Sequence, residues 1–248
     1  MSSSPQIKDV KPVHPLVAVT TNYIKYLHEN GNSTPYLDEN DLAALQIERY
    51  KIDIDTGKPE DAGLQFTKPR PLDEMRAIAE ATKDELLEAD FLGQPIEIPG
   101  EQIRWKLYNQ GPLPDTISYV ANEAPLEEGK LLRSEIFCIL RMTRAKLKQP
   151  RFCSHEIAPV SFQIPPPYSE LFISYLMQFK ATLVSCSHKD LRIVQGYVHG
   201  DGRVVVRTSP IINVDGEEAQ NLHDLLRIGA WFFGSPCRVE STLKDGHN

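Results

Sequence analysis

The sequence predicts an α+β fold, in which a mainly antiparallel sheet with a C-terminal hairpin packs against helices and the N-terminal region is helical. Three stretches carry this prediction: a strand pair over 191–208, an amphipathic helix over 216–233 and a longer helix over 126–149. Because the hairpin is followed, after a loop, by an amphipathic helix, we expect the sheet to pack on that helix.

The hairpin is predicted by alternating residues on both sides of a glycine-rich turn. The two faces of its first strand are formed by Leu191, Ile193 and Tyr197 and by Arg192, Val194 and Val198. The turn, Gly200-Asp201-Gly202, consists of residues that tolerate a positive φ. Since both faces carry apolar side chains, we expect this strand pair to lie inside the sheet.

Two helices are predicted by apolar residues that recur at helical spacing. The C-terminal helix begins after Asp215, which can cap it, and ends at Gly234 and Pro236. Its expected buried stripe consists of Leu222, Leu225, Leu226, Gly229 and Phe233. The central helix ends before Pro150. Its expected buried stripe consists of Leu132, Ile136, Ile139, Leu140, Thr143 and Leu147.

The other elements follow from shorter patterns along the chain. Further helices are expected over 16–29, 38–50, 73–89 and 169–180. The sheet is expected to have four to six strands, contributed by 101–121, 155–164, 181–187, 191–199 and 203–208.

The domain organisation is predicted from a stretch rich in turn-forming residues over 51–72. We therefore expect residues 1–72 to form a helical arm that ends in a loop or linker. Residues 73–248 are expected to form one α+β domain with its core at about 126–240.

Charge is divided unevenly along the chain. With 41% hydrophobic and 25% charged residues and a net charge of -7, the composition is that of a globular protein. Residues 1–128 carry a net charge of -11 and residues 129–248 carry +4. Either the acidic half folds over the basic one, or the two halves present independent surfaces.

The cysteines and the N-terminus predict a reduced, intracellular protein that is cytoplasmic or nuclear. The four cysteines have no C-x-x-C spacing, and the first residues lack the apolar segment of a secretory signal. The longest apolar run, residues 171–184, is interrupted by Gln178 and Lys180. It is shorter than the ~20 residues that cross a bilayer, so we expect no membrane partner.

A resemblance is carried by two motifs in the C-terminal part of the chain. They are R-I-x-x-G-Y-x-x-G-D-G-x-V-V-V-R-x-S from Arg192 to Ser209 and L-L-x-x-G-A-W-F-F-G from Leu225 to Gly234. The pattern resembles a set of proteins from filamentous fungi for which no activity is known. The resemblance implies a fungal source, and it provides no catalytic residues that can be transferred to this chain.

An active site that needs no cofactor is one hypothesis. The candidate catalytic residues are His155, Glu156, His199 and Arg207, because imidazole and carboxyl groups in a pocket can act as general acids and bases. His155 and Glu156 are neighbours in a predicted strand and point to opposite faces, so they cannot act on the same proton. We expect no cofactor and no metal ion, because the chain has neither a phosphate-binding loop nor histidines at ligand spacing.

A basic run at the end of the central helix is a candidate anion-binding site. Arg141, Arg144 and Lys148 belong to the segment 141–151, which contains no acidic residue. Such a run can bind phosphates or nucleic acid, and cations at this end of a helix also complement the helix dipole. Because the net charge is -7 and the run contains no aromatic residue, we do not expect nucleic-acid binding.

These observations rank three functions. The first is an intracellular binding, regulatory or accessory protein whose partner is an unidentified protein or small molecule, since no catalytic signature is present. The second is an isomerase, cyclase or hydrolase in fungal secondary metabolism, and the third is nucleic-acid binding through 141–151. Converging histidine, glutamate and arginine side chains in an enclosed pocket would favour an enzyme, whereas an exposed apolar patch would favour a binding partner.

Overall fold

The helices and strands are taken from a computed structural model, which describes residues 14–30, 34–61, 63, 65–81, 94–98, 101–108, 116–148 and 180–237. In these ranges the helices are α1 Pro15–Glu29, α2 Glu39–Ala44, α3 Leu72–Ala81, α4 Arg133–Leu147 and α5 Glu218–Phe232. The strands are β1 Ile47–Lys51, β2 Thr67–Lys68, β3 Gln94–Ile98, β4 Glu101–Tyr108, β5 Thr116–Asn122, β6 Ala181–Ser187, β7 Asp190–Val198, β8 Val204–Thr208, β9 Ile212–Asn213 and β10 Ser235–Pro236.

One mixed sheet organises the described part of the chain and confirms the predicted α+β class with a helical N-terminal region. Its strand order is β1-β8-β7-β6-β5-β4-β3, and β9 pairs with β7. Only β1 with β8 and β5 with β6 are parallel pairs, so the sheet is mainly antiparallel. The expected number of four to six strands was too low, because eight described strands form this sheet. The region 101–121, which was expected to contribute to the sheet, provides two of these strands, β4 and β5.

The predicted C-terminal hairpin is confirmed as β7 and β8. The two strands pair antiparallel and end with Val198 opposite Val204, and Gly202 takes a φ of 95° in the turn. Strand β7 lies between β6 and β8, as its two apolar faces predict. At Gly196 an added Cβ would lie 2.8 Å from Ile139 Cδ1. This glycine therefore lets α4 approach the centre of the sheet.

Helix α4 is buried on almost every side. All six residues of its predicted stripe are buried, and so are residues on its opposite side, including Phe137 and Met142. The reason is that α4 contacts β5, β6 and β7 on one side and α1 on the other. None of the described helices is long and apolar enough to cross a membrane.

The helix predicted over 38–50 is wrong in its second half. Helix α2 begins at the Asp38 cap but ends at Ala44, and residues 47–51 form β1. Gln46 takes a φ of 50° between the two elements. Its carbonyl accepts a hydrogen bond from the Val204 amide at 3.0 Å. Parallel pairing with β8 thus determines the conformation here, and a partner more than 150 residues away leaves no local pattern.

The stripe predicted for the C-terminal helix is also partly wrong. Leu226 is buried as expected, but Leu222, Leu225 and Phe233 are 55%, 48% and 49% exposed. Helix α5 instead buries Ile228 and Trp231 against the sheet and the loop after β1, and Leu226 and Ala230 against α3. Its rotation follows from two neighbours, because α3 contacts it near Leu226 and the loop after β1 lies beneath Trp231.

The segment expected to be a loop or linker packs between the sheet and α5. Ile52, Ile54 and Phe66 within it are buried. The indole Nε1 of Trp231 donates a hydrogen bond to the Ile54 carbonyl at 2.9 Å. Turn-forming residues are present as predicted, and Gly57 takes a φ of 73°. The strand expected over 155–164, and all but the last residue of the helix expected over 169–180, lie outside the described residues.

Helix α1 begins at an unusual cap, the imidazole of His14. Its Nδ1 atom accepts a hydrogen bond from the Leu16 amide at 3.2 Å, so the ring nitrogen must be unprotonated to fill this role. Burial lowers the pKa of His14 below its ordinary value. The folded state therefore favours the neutral imidazole.

We predict that this cap makes stability fall as the pH falls below about 6.5, the ordinary pKa of histidine. Because the pKa of His14 is lowered only in the folded protein, the unfolded chain takes up the proton first and gains stability. Thermal unfolding at about pH 7.5 and about pH 5.5 measures the loss, and His14→Asn, an uncharged cap, should show a smaller one. An equal loss in both proteins would contradict the role of His14.

Candidate functional site

The turn between β7 and β8 brings one predicted catalytic residue next to several charged groups. His199 Nδ1 lies 2.9 Å from Asp201 Oδ1. Arg203 Nε donates to Asp201 Oδ2 at 2.8 Å, and Arg203 Nη1 donates to Glu48 Oε1 at 2.5 Å. Burial acts to raise the pKa of Asp201, but hydrogen bonds from the Arg203 backbone, its guanidinium group and His199 outweigh it and lower this pKa to about 2. Asp201 therefore stays ionised and holds the imidazole and the guanidinium group in place.

Arg207, the second predicted catalytic residue that the structure describes, lies elsewhere. It is 1% exposed, and its Nη2 atom donates to Asp61 Oδ2 at 2.9 Å. Its guanidinium group stacks on the Phe66 ring at 4.3 Å. Four residues separate Arg203 from Arg207, or roughly 13 Å along a strand. The structure thus does not bring Arg207 and His199 together, and His155 and Glu156 lie outside the described residues.

A buried glutamine beside Arg207 was not predicted from the sequence. Gln195 pairs across the strands with Arg207 on one side and Thr182 on the other. Its Nε2 atom donates to Thr182 Oγ1 at 3.2 Å, and its Oε1 atom is buried without a hydrogen-bond partner. A polar residue in the apolar run of β7 was the only signal for this row of polar side chains.

The opposite face of β7 carries a buried ion pair between Arg192 and Glu135 of α4. Arg192 Nε and Nη2 donate to the two carboxylate oxygens at 2.8 and 2.6 Å. Glu135 also accepts a hydrogen bond from the Leu132 amide at 2.9 Å, and Arg192 donates to the Glu127 carbonyl at 3.2 Å. The ion pair fixes α4 on the sheet. Glu135 also provides a hydrogen-bond acceptor for a backbone amide at the start of the helix.

Two further polar groups, at Cys186 and Asp53, have structural roles. The Cys186 thiol donates to the Tyr119 hydroxyl at 2.9 Å, and burial raises its pKa, which lowers its reactivity as a nucleophile. The Nδ1 atom of the neighbouring His188 lies 3.1 Å from the Ser187 hydroxyl. Asp53 accepts hydrogen bonds from Thr56 in a turn. Among the described side chains, no three of His, Cys, Asp or Glu lie close enough to share a metal ion.

An open depression of about 440 Å³ lies between α2 and β1. Its charged lining residues are paired with each other: Arg49 with Glu39 at 3.2 Å and Arg203 with Glu48. The predicted residues His199 and Arg207 are not among those that line it. This depression is therefore a shallow surface of paired charges and not an enclosed catalytic pocket.

The basic run occupies one side of α4 near its end. Arg141 and Lys148 are exposed, Arg144 is half-buried, and Lys146 is buried. The Arg141 guanidinium group covers the Phe137 ring at 5.4 Å. Because 141, 144 and 148 follow the spacing i, i+3 and i+7, the three cations share one side of the helix. The structure describes no residue of the run beyond Lys148.

The exposed apolar residues of α5 form the most distinctive surface of the described chain. Leu222, Leu225 and Phe233, which we call the α5 strip, share a side of the helix at positions i, i+3 and i+11. The strip spans about 16 Å, or three helical turns. Charged or polar residues usually occupy the solvent side of a surface helix, so an apolar strip there indicates a contact surface.

Fold and surfaces together define an α+β protein whose candidate sites are helix faces. Comparison with family models, with curated proteins and with solved structures finds no match to this chain.

Proposed function

We propose that this chain is an intracellular binding protein of the cytoplasm or nucleus, with a regulatory or accessory role, and that it binds a protein partner on the α5 strip. The single observation that carries the proposal is the exposure of Leu222, Leu225 and Phe233, each at about half of its full surface. Burial of such side chains is the main favourable term in protein association. A helix of about three turns would match the length of the strip.

The charges around the strip indicate what the partner carries. Helices α3 and α5 together contain the exposed acids Asp73, Glu74, Glu80 and Glu218. They also contain Asp224, which is buried and paired with Arg227. Arg76 and Arg227 are their only Lys or Arg residues, which gives a net charge of -3. Complementary charge steers partners and excludes wrong ones. The occupant that fits is therefore an amphipathic helix whose apolar side is flanked by lysine or arginine.

An enzyme of fungal secondary metabolism is the weaker alternative. Its support is the imidazole of His199 held by the Asp201 carboxylate, an arrangement that orients a general base. A catalytic site also requires groups that converge on a substrate, and Arg207 is engaged with Asp61 on another part of the sheet. The geometry therefore supports binding better than catalysis.

The proposal is tested with a labelled synthetic peptide of about five helical turns, with leucines at i, i+3, i+4 and i+7 and lysines beside them. Leu222→Ser with Leu225→Ser should weaken binding by at least about tenfold, because each tenfold step corresponds to about 1.4 kcal/mol of lost apolar contact. Fluorescence anisotropy measures the affinity. Circular dichroism should show an unchanged fold, since both side chains are exposed.

The matched control is Leu16→Ser, a buried change on α1 that should lower stability without a specific effect on the peptide. Equal affinity in wild type and the Leu222/Leu225 variant would overturn the proposal. Sedimentation of the wild type provides the second test. A dimer that the same variant dissociates would make a second copy of this chain the occupant, and would overturn the cationic partner.

A further inference from the structure

Three cations on α4 share one side of a single helix, which sets them apart from the other exposed basic residues. Some of those residues have carboxylate partners, as in the pairs Lys25–Glu29, Arg49–Glu39, Lys130–Glu127 and Lys189–Asp215. Others, such as Lys51, Lys58 and Lys68, form no ion pair with a described residue and are scattered over separate elements. Arg141, Arg144 and Lys148 also form no ion pair within the part of the chain that the structure describes, and Arg144 Nε is buried without a hydrogen-bond partner. We call these three residues the α4 cationic face.

The helix dipole explains only part of this arrangement. Its stabilising effect on cations is confined to about the last turn of a helix. Arg144 and Lys148 lie at the end of α4, but Arg141 lies six residues before the last residue, Leu147. Unpaired cations that continue beyond the last turn on one side of a helix indicate a surface for an anionic partner.

We propose that the α4 cationic face binds an acidic segment of a second protein, on the opposite side of the sheet from the α5 strip. Helix α4 contacts the face of β7 that carries Arg192 and Gly196. Helix α5 packs on the other face, which carries Ile193. Because the two surfaces are separated by the sheet, both can be occupied at once, and the protein then bridges two partners. The assignment of the α4 cationic face does not depend on the α5 strip.

An acidic protein segment fits this face better than a nucleic acid. Single-stranded nucleic acids are bound by exposed aromatic rings on which the bases stack. The aromatic residue of this face, Phe137, is 2% exposed and lies under Arg141. The chain also carries a net charge of -7, which repels a long polyanion more strongly than a short acidic peptide.

The test uses a fluorescent peptide of about 16 residues rich in Glu and Asp, at low salt because screening weakens such contacts. The variant is Arg141→Gln with Arg144→Gln and Lys148→Gln, which removes the charges without reversing them. We expect its affinity to be about tenfold lower than that of the wild type, from the summed loss of three exposed ion pairs. A peptide of the same length with Gln and Asn should bind neither protein.

A matched control removes three cations from other surfaces, Lys51→Gln with Lys58→Gln and Lys68→Gln, all exposed. It lowers the net charge of the protein equally and should leave the affinity within about twofold, because distant exposed charges are screened. Equal losses in the two triple variants would overturn the proposal, as would the absence of binding to the wild type. Tighter binding of a DNA or RNA duplex than of the peptide would overturn the acidic protein as partner.

Discussion

Replacement of Glu135 by Gln is expected to destabilise the protein by about 3–5 kcal/mol, the usual cost of breaking a buried ion pair. The substitution keeps the shape of the side chain but leaves the Arg192 guanidinium group, 2% exposed, without its counter-charge. Unfolding in urea, monitored by circular dichroism, measures the difference in free energy. A loss below about 1 kcal/mol would mean that Arg192 is not buried beside Glu135.

An exposed pair provides the control for this prediction. Glu39→Gln breaks the contact with Arg49, in which the two side chains are 84% and 42% exposed, and should cost no more than about 1 kcal/mol. Glu135→Leu combined with Arg192→Met should recover much of the loss, because a well-packed apolar pair does not pay the desolvation of two charges. The double variant thus distinguishes destabilisation by an unpaired buried charge from destabilisation by a loss of packing.

Elements with strong local periodicity could be predicted from the sequence. The β7–β8 hairpin was predicted by the alternation of residues such as Tyr197 and Val198, and α4 was predicted by the apolar stripe from Leu132 to Leu147. Both patterns are visible because alternation and helical spacing directly reflect burial. Strand β1 could not be predicted, because its conformation is determined by β8, far along the chain. The same holds for the loop around Ile54, which is ordered by contact with Trp231.

The two candidate sites also differ in whether they could be predicted from the sequence. The basic residues Arg141, Arg144 and Lys148 are visible in the sequence because they lie close together along it. The α5 strip was interpreted as core, because leucines at helical spacing are normally buried. Its exposure depends on how α3 and the loop after β1 fix the rotation of α5, and the spacing of residues along α5 contains no information about either neighbour.

The ion pair between Glu135 and Arg192 illustrates why the burial of charged residues could not be predicted from the sequence. The two side chains are 57 positions apart in the chain, and neither is marked by its neighbours as buried. Three further arginines lie in the C-terminal region, at 192, 203 and 207. Each has a carboxylate of this chain beside it, whereas the described part of the structure places no carboxylate in an ion pair with Arg141, Arg144 or Lys148.

Two aromatic residues near the end of α5 are expected to respond very differently to truncation. Trp231→Ala should cost about 3–5 kcal/mol, because it removes a large side chain from a packed core and leaves a cavity. Trp231 is fully buried among Ile52, Ile54 and Ile228, and its loss also leaves the Ile54 carbonyl without the indole donor. Urea unfolding at neutral pH measures this cost.

Phe233→Ala is the matched control, since this ring lies two residues further along and is 49% exposed. It should change the free energy of unfolding by no more than about 0.5 kcal/mol, as is usual for surface positions. The same substitution should weaken binding of the cationic amphipathic peptide, because Phe233 belongs to the α5 strip. If instead Phe233→Ala destabilised the protein as much as Trp231→Ala, the ring of Phe233 would be buried. Helix α5 would then be rotated from the orientation described, and the surface that carries the proposed function would not exist.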